Sequence, residues 1–117
     1  MRYKVNFYRT EQGDKPLAAW VRSLMGTQPT LADLVKGGLV KLQDSDQHKP
    51  RLVELVDRQA RIYEMRVGDA NIARVFFFLD DDQVIATNGY VKKRMQLDAG
   101  ELARARRYKQ DWMGRKS

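Results

Sequence analysis

The stretch "IARVFFFLDDDQVIATNGYVKK", Ile72 to Lys93, decides the fold. Two runs rich in β-branched and aromatic residues flank three consecutive aspartates, the composition of two strands joined by a turn. The first run, "IARVFFFL", is apolar on both faces apart from Arg74, as expected of a central strand with one side covered by helices. A lone charge in such a run needs a partner or a cavity, because an unpaired buried cation is expensive. The second run ends in Tyr90 and then Lys92, Lys93 and Arg94, three cations that the next turn does not neutralise.

Working outward, "RIYEMRVG" reads as a further strand, and the turn "GDAN" joins it to Ile72, so three strands follow one another in an antiparallel meander. Upstream, "QDSDQHKPRLVELVDRQA" reads as a polar loop around a short apolar piece, Leu52 to Val56, whose structure the pattern does not settle. Two amphipathic stripes precede it. Leu17, Trp20, Val21, Leu24 and Met25 follow Pro16 at helical spacing. Leu31, Leu34, Val35, Leu39 and Leu42 form the second stripe, with Thr30 and Asp33 at capping-box spacing. These make a helical hairpin. Gly37-Gly38 inside the second helix costs about 1 kcal/mol per glycine against alanine, so the helix either breaks there or admits a close neighbour, and close packing is the preferred reading. The N-terminal "YKVNFYR" alternates Tyr3, Val5 and Phe7 with Lys4, Asn6 and Tyr8, a strand with one face on a core. At the other end "QLDAGELARARRYKQDWMGRKS" reads as a basic helix. Asp98 and Glu101 have capping-box spacing, Leu102, Ala105, Tyr108 and Trp112 share one face, and Arg104, Arg107 and Lys109 point to water. The sum is an α+β fold, with helices packed on a mainly antiparallel sheet, and the 117 residues suit a single domain over 1–117.

The formal net charge of +7 favours polyanionic partners such as nucleic acid, anionic lipid or an acidic protein. With no cysteine and one histidine, His48, neither a thiolate site nor an ordinary zinc site is expected, and no cofactor is implied. His48 lies in a loop without neighbouring ligands and reads as a surface residue. Asp80, Asp81 and Asp82 read as a solvated turn rather than a magnesium cluster. A Gly-rich phosphate loop, a Ser-His-Asp set and a glycosidase-like carboxylate pair are all missing from the sequence. No apolar run reaches transmembrane length and the N-terminus lacks a signal-peptide core, so a cytoplasmic protein with no membrane partner is expected.

What remains is a set of basic residues on the meander. Neighbouring strands lie about 4.8 Å apart, so Arg66, Arg74, Lys92 and Lys93 can gather within one or two strand spacings. Such crowding is unfavourable unless a polyanion binds. Alternation puts Arg74 on the face of Phe76 and Phe78. Two readings stand for it, a guanidinium emerging at the edge of a cleft or a strand-end arginine paired with Glu64 or Asp69. For Arg66, Lys92 and Lys93 the alternatives are a site and a charged edge that discourages sheet association.

The pieces "IYEMR", "IARVFFFLDDDQVIATNGYVKK" and "ELARARRYKQDW" together resemble the RelE/HigB superfamily of bacterial toxins, in particular its phage-derived HigB-like branch. That superfamily shows a strand ending Glu-Leu-Arg, an aromatic strand opened by arginine, a strand ending Gly-Phe-x-Lys-Lys, and a closing helix. The resemblance runs from about Arg61 to Trp112. It implies a RelE/ParE-like domain acting as the toxin of a toxin–antitoxin pair, with an antitoxin partner of acidic or helix-turn-helix type and, for the better-known members, mRNA cleavage on the ribosome. By position it implies Arg66, Arg74, Lys92 and Lys93 as catalytic residues. Tyr90 matches the aromatic before the lysines, and with the nearby cations Arg94, Arg104 and Arg107 it is expected to contact RNA, although Arg94 falls where the sequence leaves the superfamily's pattern. Ala73, Met65 and the run "RMQLDAG" depart from the superfamily's usual residues. Relatives that inhibit DNA gyrase supply the alternative, a same-fold toxin or nucleic-acid-binding module without nuclease activity.

Metal-independent cleavage by the neighbouring 2′-hydroxyl needs a base, positive charge for the phosphorane-like transition state, and a proton for the leaving 5′-oxygen. Arginine stays protonated and suits the electrostatic part, forking donors onto phosphate oxygens. A lysine crowded by cations gives up its proton more readily than an isolated one, which makes Lys92 or Lys93 the acid or base. Tyr90 stacks on a base, donates a proton, or simply packs.

Overall fold

The computed structural model describes residues 1–93 and 97–116. Its strands are β1 (Lys4–Phe7), β2 (Val53–Asp57), β3 (Ile62–Val67), β4 (Ala73–Asp80) and β5 (Gln83–Val91), and its helices are α1 (Pro16–Thr27), α2 (Pro29–Lys41) and α3 (Ala99–Lys116). The strands form one sheet in the order β1-β5-β4-β3-β2. The run β2 to β5 is antiparallel throughout, and β1 joins β5 in parallel. The α+β architecture with a hairpin of helices, a meander and a terminal helix is therefore the one the sequence predicts. The unsettled piece after Leu52 is β2, an edge strand paired with β3.

β4 is hydrogen-bonded on both sides and buried at every residue except Leu79. Its cover is on both faces, where the sequence suggested one. Leu17, Val21 and Leu24 of α1, with Leu31, Val35 and Leu39 of α2, cover Ala73, Val75 and Phe77. On the opposite face Phe76 packs with Leu102 and Ala105 of α3, and Phe78 with Tyr8, Ile85, Tyr108 and Trp112. The reason lies in β4 itself: Phe76 and Phe78 need cover as much as Val75 and Phe77 do. Tyr8, read as a polar-side residue, is buried under α3 for the same reason.

Several local readings change. Helix α2 begins at Pro29 with Gln28 as N-cap, so Thr30 is inside the helix and caps nothing. The helix runs unbroken through both glycines. Gly38 lies against Met65 and Val67, while Gly37 faces open space. Met25 and Leu34 are exposed rather than part of their stripes. His48 is half-buried rather than superficial: its ring stacks on Tyr3 at 5.1 Å, and Nε2 donates to the Leu42 carbonyl at 2.8 Å. Asp80 is buried too, accepting from Trp112 Nε1 at 2.8 Å and Lys116 Nζ at 2.6 Å, so the turn keeps only Asp81 and Asp82 in solvent. Lys109 lies 5.5 Å over the Phe78 ring and donates to the Ala60 carbonyl instead of pointing to water. Among the described residues no helix is long and apolar enough to cross a membrane.

One irregularity positions the site. The β4/β5 register passes from Phe77↔Ala86 to Phe76↔Asn88, leaving Thr87 as a bulge. A bulge shifts the alternation by one residue. Before it, Val84 and Ala86 face the helical hairpin; after it, Asn88 and Tyr90 face α3, while Gly89 meets α1.

Candidate functional site

Arg66, Arg74 and Tyr90 sit side by side on three adjacent strands, Arg66 opposite Arg74 and Arg74 opposite Tyr90. Like charges placed directly across a ladder repel, so something must hold this row together. That residue is Glu64, whose carboxylate is fully buried beneath it. Glu64 Oε1 accepts an ion pair from Arg74 Nη1 and lies 3.3 Å from Arg66 Nε, and Oε2 accepts from the Tyr90 hydroxyl at 3.2 Å. Arg74 Nε also donates to the Asn71 carbonyl at 2.5 Å. Of the two partners weighed for Arg74, the structure selects Glu64. Arg66 makes a second ion pair, with Glu54 of β2.

Arg66 is lowered from the ordinary arginine value, by burial first and then by the Arg74 charge, and still remains protonated at any physiological pH. Burial pushes the Tyr90 phenol up to about 12, with the Glu64 charge adding to it. Tyr90 therefore keeps its proton and cannot serve as a base. Its ring stacks on Phe76 with centroids 5.7 Å apart.

Lys92 and Lys93 follow where β5 ends, with the Lys92 amide donating to the Ile72 carbonyl at 2.6 Å. β1 pairs with β5 only as far as Ala86, so beyond the bulge that side of β5 opens into a cleft of roughly 1000 Å³ between α1 and the start of α3. Tyr90, Lys92, Lys93, Trp20 and Arg104 all line it. Neither lysine has an ion-pair partner among the described residues. Arg104 pairs with Glu101 at 3.6 Å. Glu101 in turn accepts from Asn88 Nδ2 at 3.2 Å, and its amide is capped by Asp98 Oδ1 at 3.0 Å, which ties the first turn of α3 to the wall.

The candidate residues thus fall into two groups. Arg66 and Arg74 are neutralised by Glu54 and Glu64; Lys92 and Lys93 line an open cleft and have no ion-pair partner among the described residues. Arg107 is exposed on α3 and does not line the cleft, and Arg94 lies outside the described residues. Trp20 packs against the hairpin-side core, as its place in the apolar stripe predicts, and also forms a cleft wall. Its ring occupies the space beside Gly89, where a Cβ would approach it to 2.5 Å. The "NG" pair before Tyr90 was the available signal for that close approach.

A family model described as Phage derived protein Gp49-like (DUF891) matches residues 32–110. The chain belongs to the phage-derived Gp49-like family. This is a RelE/HigB-like toxin family, so the resemblance carried by the meander holds at that level. The Gp49-like segment starts in α2 and ends in α3, taking in Glu64, both arginines, Tyr90 and the lysine pair, and leaving Trp20 outside. No curated protein matches the chain.

Proposed function

We propose that this Gp49-like protein is a HigB-like toxin that cleaves mRNA on the ribosome without a metal, inhibiting translation until a cognate antitoxin, of helix-turn-helix type, binds it. The observation that carries the reading is the lysine pair, without an ion-pair partner among the described residues and lining a cleft that also presents Tyr90, Trp20 and Arg104. Cations on a groove with aromatic walls suit single-stranded RNA, whose phosphates seek charge and whose unpaired bases stack. In this scheme Lys92 and Lys93 take the 2′-hydroxyl proton and return one to the 5′-oxygen as the phosphodiester opens to a cyclic phosphate. Tyr90, protonated throughout, stacks or donates. Arg74 and Arg66 supply positive charge from the row they form with Tyr90.

The test is cleavage of a reporter mRNA in a translating extract, mapped by primer extension. Wild-type protein should give discrete cuts, and Lys92→Ala/Lys93→Ala should lose about 10²-fold or more in rate with its unfolding temperature unchanged. Intact mRNA with the wild-type protein would sink the nuclease reading. The neutralisation of both arginines favours one second reading, a binding toxin of the same fold that does not cut. It predicts salt-sensitive nucleic-acid binding with RNA left whole, and for the gyrase variant of that reading, trapped DNA breaks.

A further inference from the structure

Glu64 touches three residues of the candidate site and is itself sealed from solvent. We infer that Glu64 is the positioning residue of the RNA site, fixing Arg66, Arg74 and Tyr90 in one row while its charge holds down their pull on phosphate. The inference rests on the RNA-cleavage reading above.

Two observations carry it. First, Arg74 is tied at Nε by the Asn71 carbonyl and at Nη1 by Glu64, and its Nη2 has no hydrogen-bond partner among the described residues. A guanidinium pinned at two of its three nitrogens presents the third in a fixed direction, which is what orienting a phosphate requires. Second, the same carboxylate fixes the Tyr90 hydroxyl, and Tyr90 is the residue shared by the buried row and the lysine cleft. Glu64 therefore couples the two arginines of the row, through Tyr90, to the cleft where RNA would lie.

The two roles separate by substitution. Glu64→Gln keeps the shape and removes the charge, so the arginines are no longer offset. A labelled single-stranded oligonucleotide with 2′-deoxy sugars, which cannot be cut, should bind it several-fold more tightly. The dependence of log K on log salt should steepen by roughly 0.7 if one further phosphate is engaged. Cleavage of mRNA in the extract should nonetheless slow by about tenfold or more, because the arginine fork and the tyrosine lose their common anchor. Glu64→Asp keeps the charge and shortens the reach; it should show wild-type affinity and salt slope with slowed cleavage.

A purely structural glutamate would lower binding and cleavage together, in proportion to the folded fraction measured by thermal unfolding. Folded Glu64→Gln with wild-type affinity, salt slope and rate would overturn the inference. If that variant does not fold, undiminished cleavage by folded Glu64→Asp overturns the positioning role. Wild-type protein that binds RNA and never cuts it removes the nuclease reading, while the Glu64→Gln affinity still decides the electrostatic half.

Discussion

At the scale of the residue, Arg74 shows how a functional candidate and a structural one can be the same side chain. It is 7 % exposed, and its carboxylate partner is not exposed at all. Breaking such a pair from one side costs about 3–5 kcal/mol, here toward the lower figure because Arg66 still lies 3.3 Å from the Glu64 carboxylate, whereas replacing both partners by apolar groups often costs far less. Arg74→Leu should therefore lower stability in urea by about that amount, and Glu64→Leu/Arg74→Leu should recover much of the loss, a coupling that a double-mutant cycle reads directly. Additive losses would mean the pair is not a unit. The consequence reaches function: a dead Arg74 variant is informative about catalysis only at a temperature where it is shown to be folded.

At the scale of the element, the two glycines of α2 separate local propensity from packing. Gly37 faces open space in a helix interior, so Gly37→Ala should stabilise by about 1 kcal/mol. At Gly38 a new Cβ would lie 2.9 Å from Met65 Sδ and 3.0 Å from Val67 Cγ1, and Met65 is fully buried with little room to retreat. Gly38→Ala should lose more in overpacking than it gains in propensity, a net destabilisation of about 1 kcal/mol. Thermal unfolding of the two variants should shift in opposite directions; equal shifts would count against the contact. The same contrast explains what was legible in the sequence. Periodicity marked both helices of the hairpin and the meander, because each of those elements has a strong apolar face, while α3 was marked by its Asp98/Glu101 cap and the sparse stripe Leu102, Ala105, Tyr108 and Trp112. Periodicity could not fix β2, whose pattern as an edge strand is half-exposed and bulged. Nor could it reveal the Thr87 bulge, since one unpaired residue leaves no compositional trace, and without the bulge Tyr90 would face the wrong side of the sheet. In the candidate site the basic residues were legible as a set. Glu64 was one of the two partners weighed for Arg74; its reach to Arg66 and Tyr90, and the approach of Glu54 and Trp20, were not legible, because they depend on tertiary register.

At the scale of the molecule, α3 closes one face of the sheet with few apolar contacts of its own. Only Leu102 and Ala105 of this helix are buried, and much of the remaining attachment is polar. Asp57 accepts from Arg106 at 2.5 Å, Asp80 from Trp112 and Lys116, and Asp111 from Tyr8 at 2.6 Å while also pairing with Arg115 at 2.7 Å. All three carboxyls are held below the ordinary aspartate value of 3.8. For Asp57 the main cause is the Ala60 amide and then Arg106; for Asp80 it is Lys116 and then Trp112; for Asp111 it is the Tyr8 hydroxyl. A carboxyl depressed on folding contributes stability that is complete above its unfolded value and is lost as pH falls through its folded value. The helix should accordingly hold its place from neutrality to about pH 5 and loosen below about pH 4. Trp112 reports on this if Trp20→Phe removes the other indole: its emission should shift to the red with a midpoint below 3.8. Asp80→Asn supplies the control. It should be less stable than the parent at pH 7, where Asp80 is charged and paired with Lys116, and the difference should shrink as the parent carboxyl protonates. A stability gap that stays constant from pH 7 to pH 3 would show that the Asp80 charge does not hold α3 down, and would leave the ring contacts of Tyr108 and Trp112 as its main fastening.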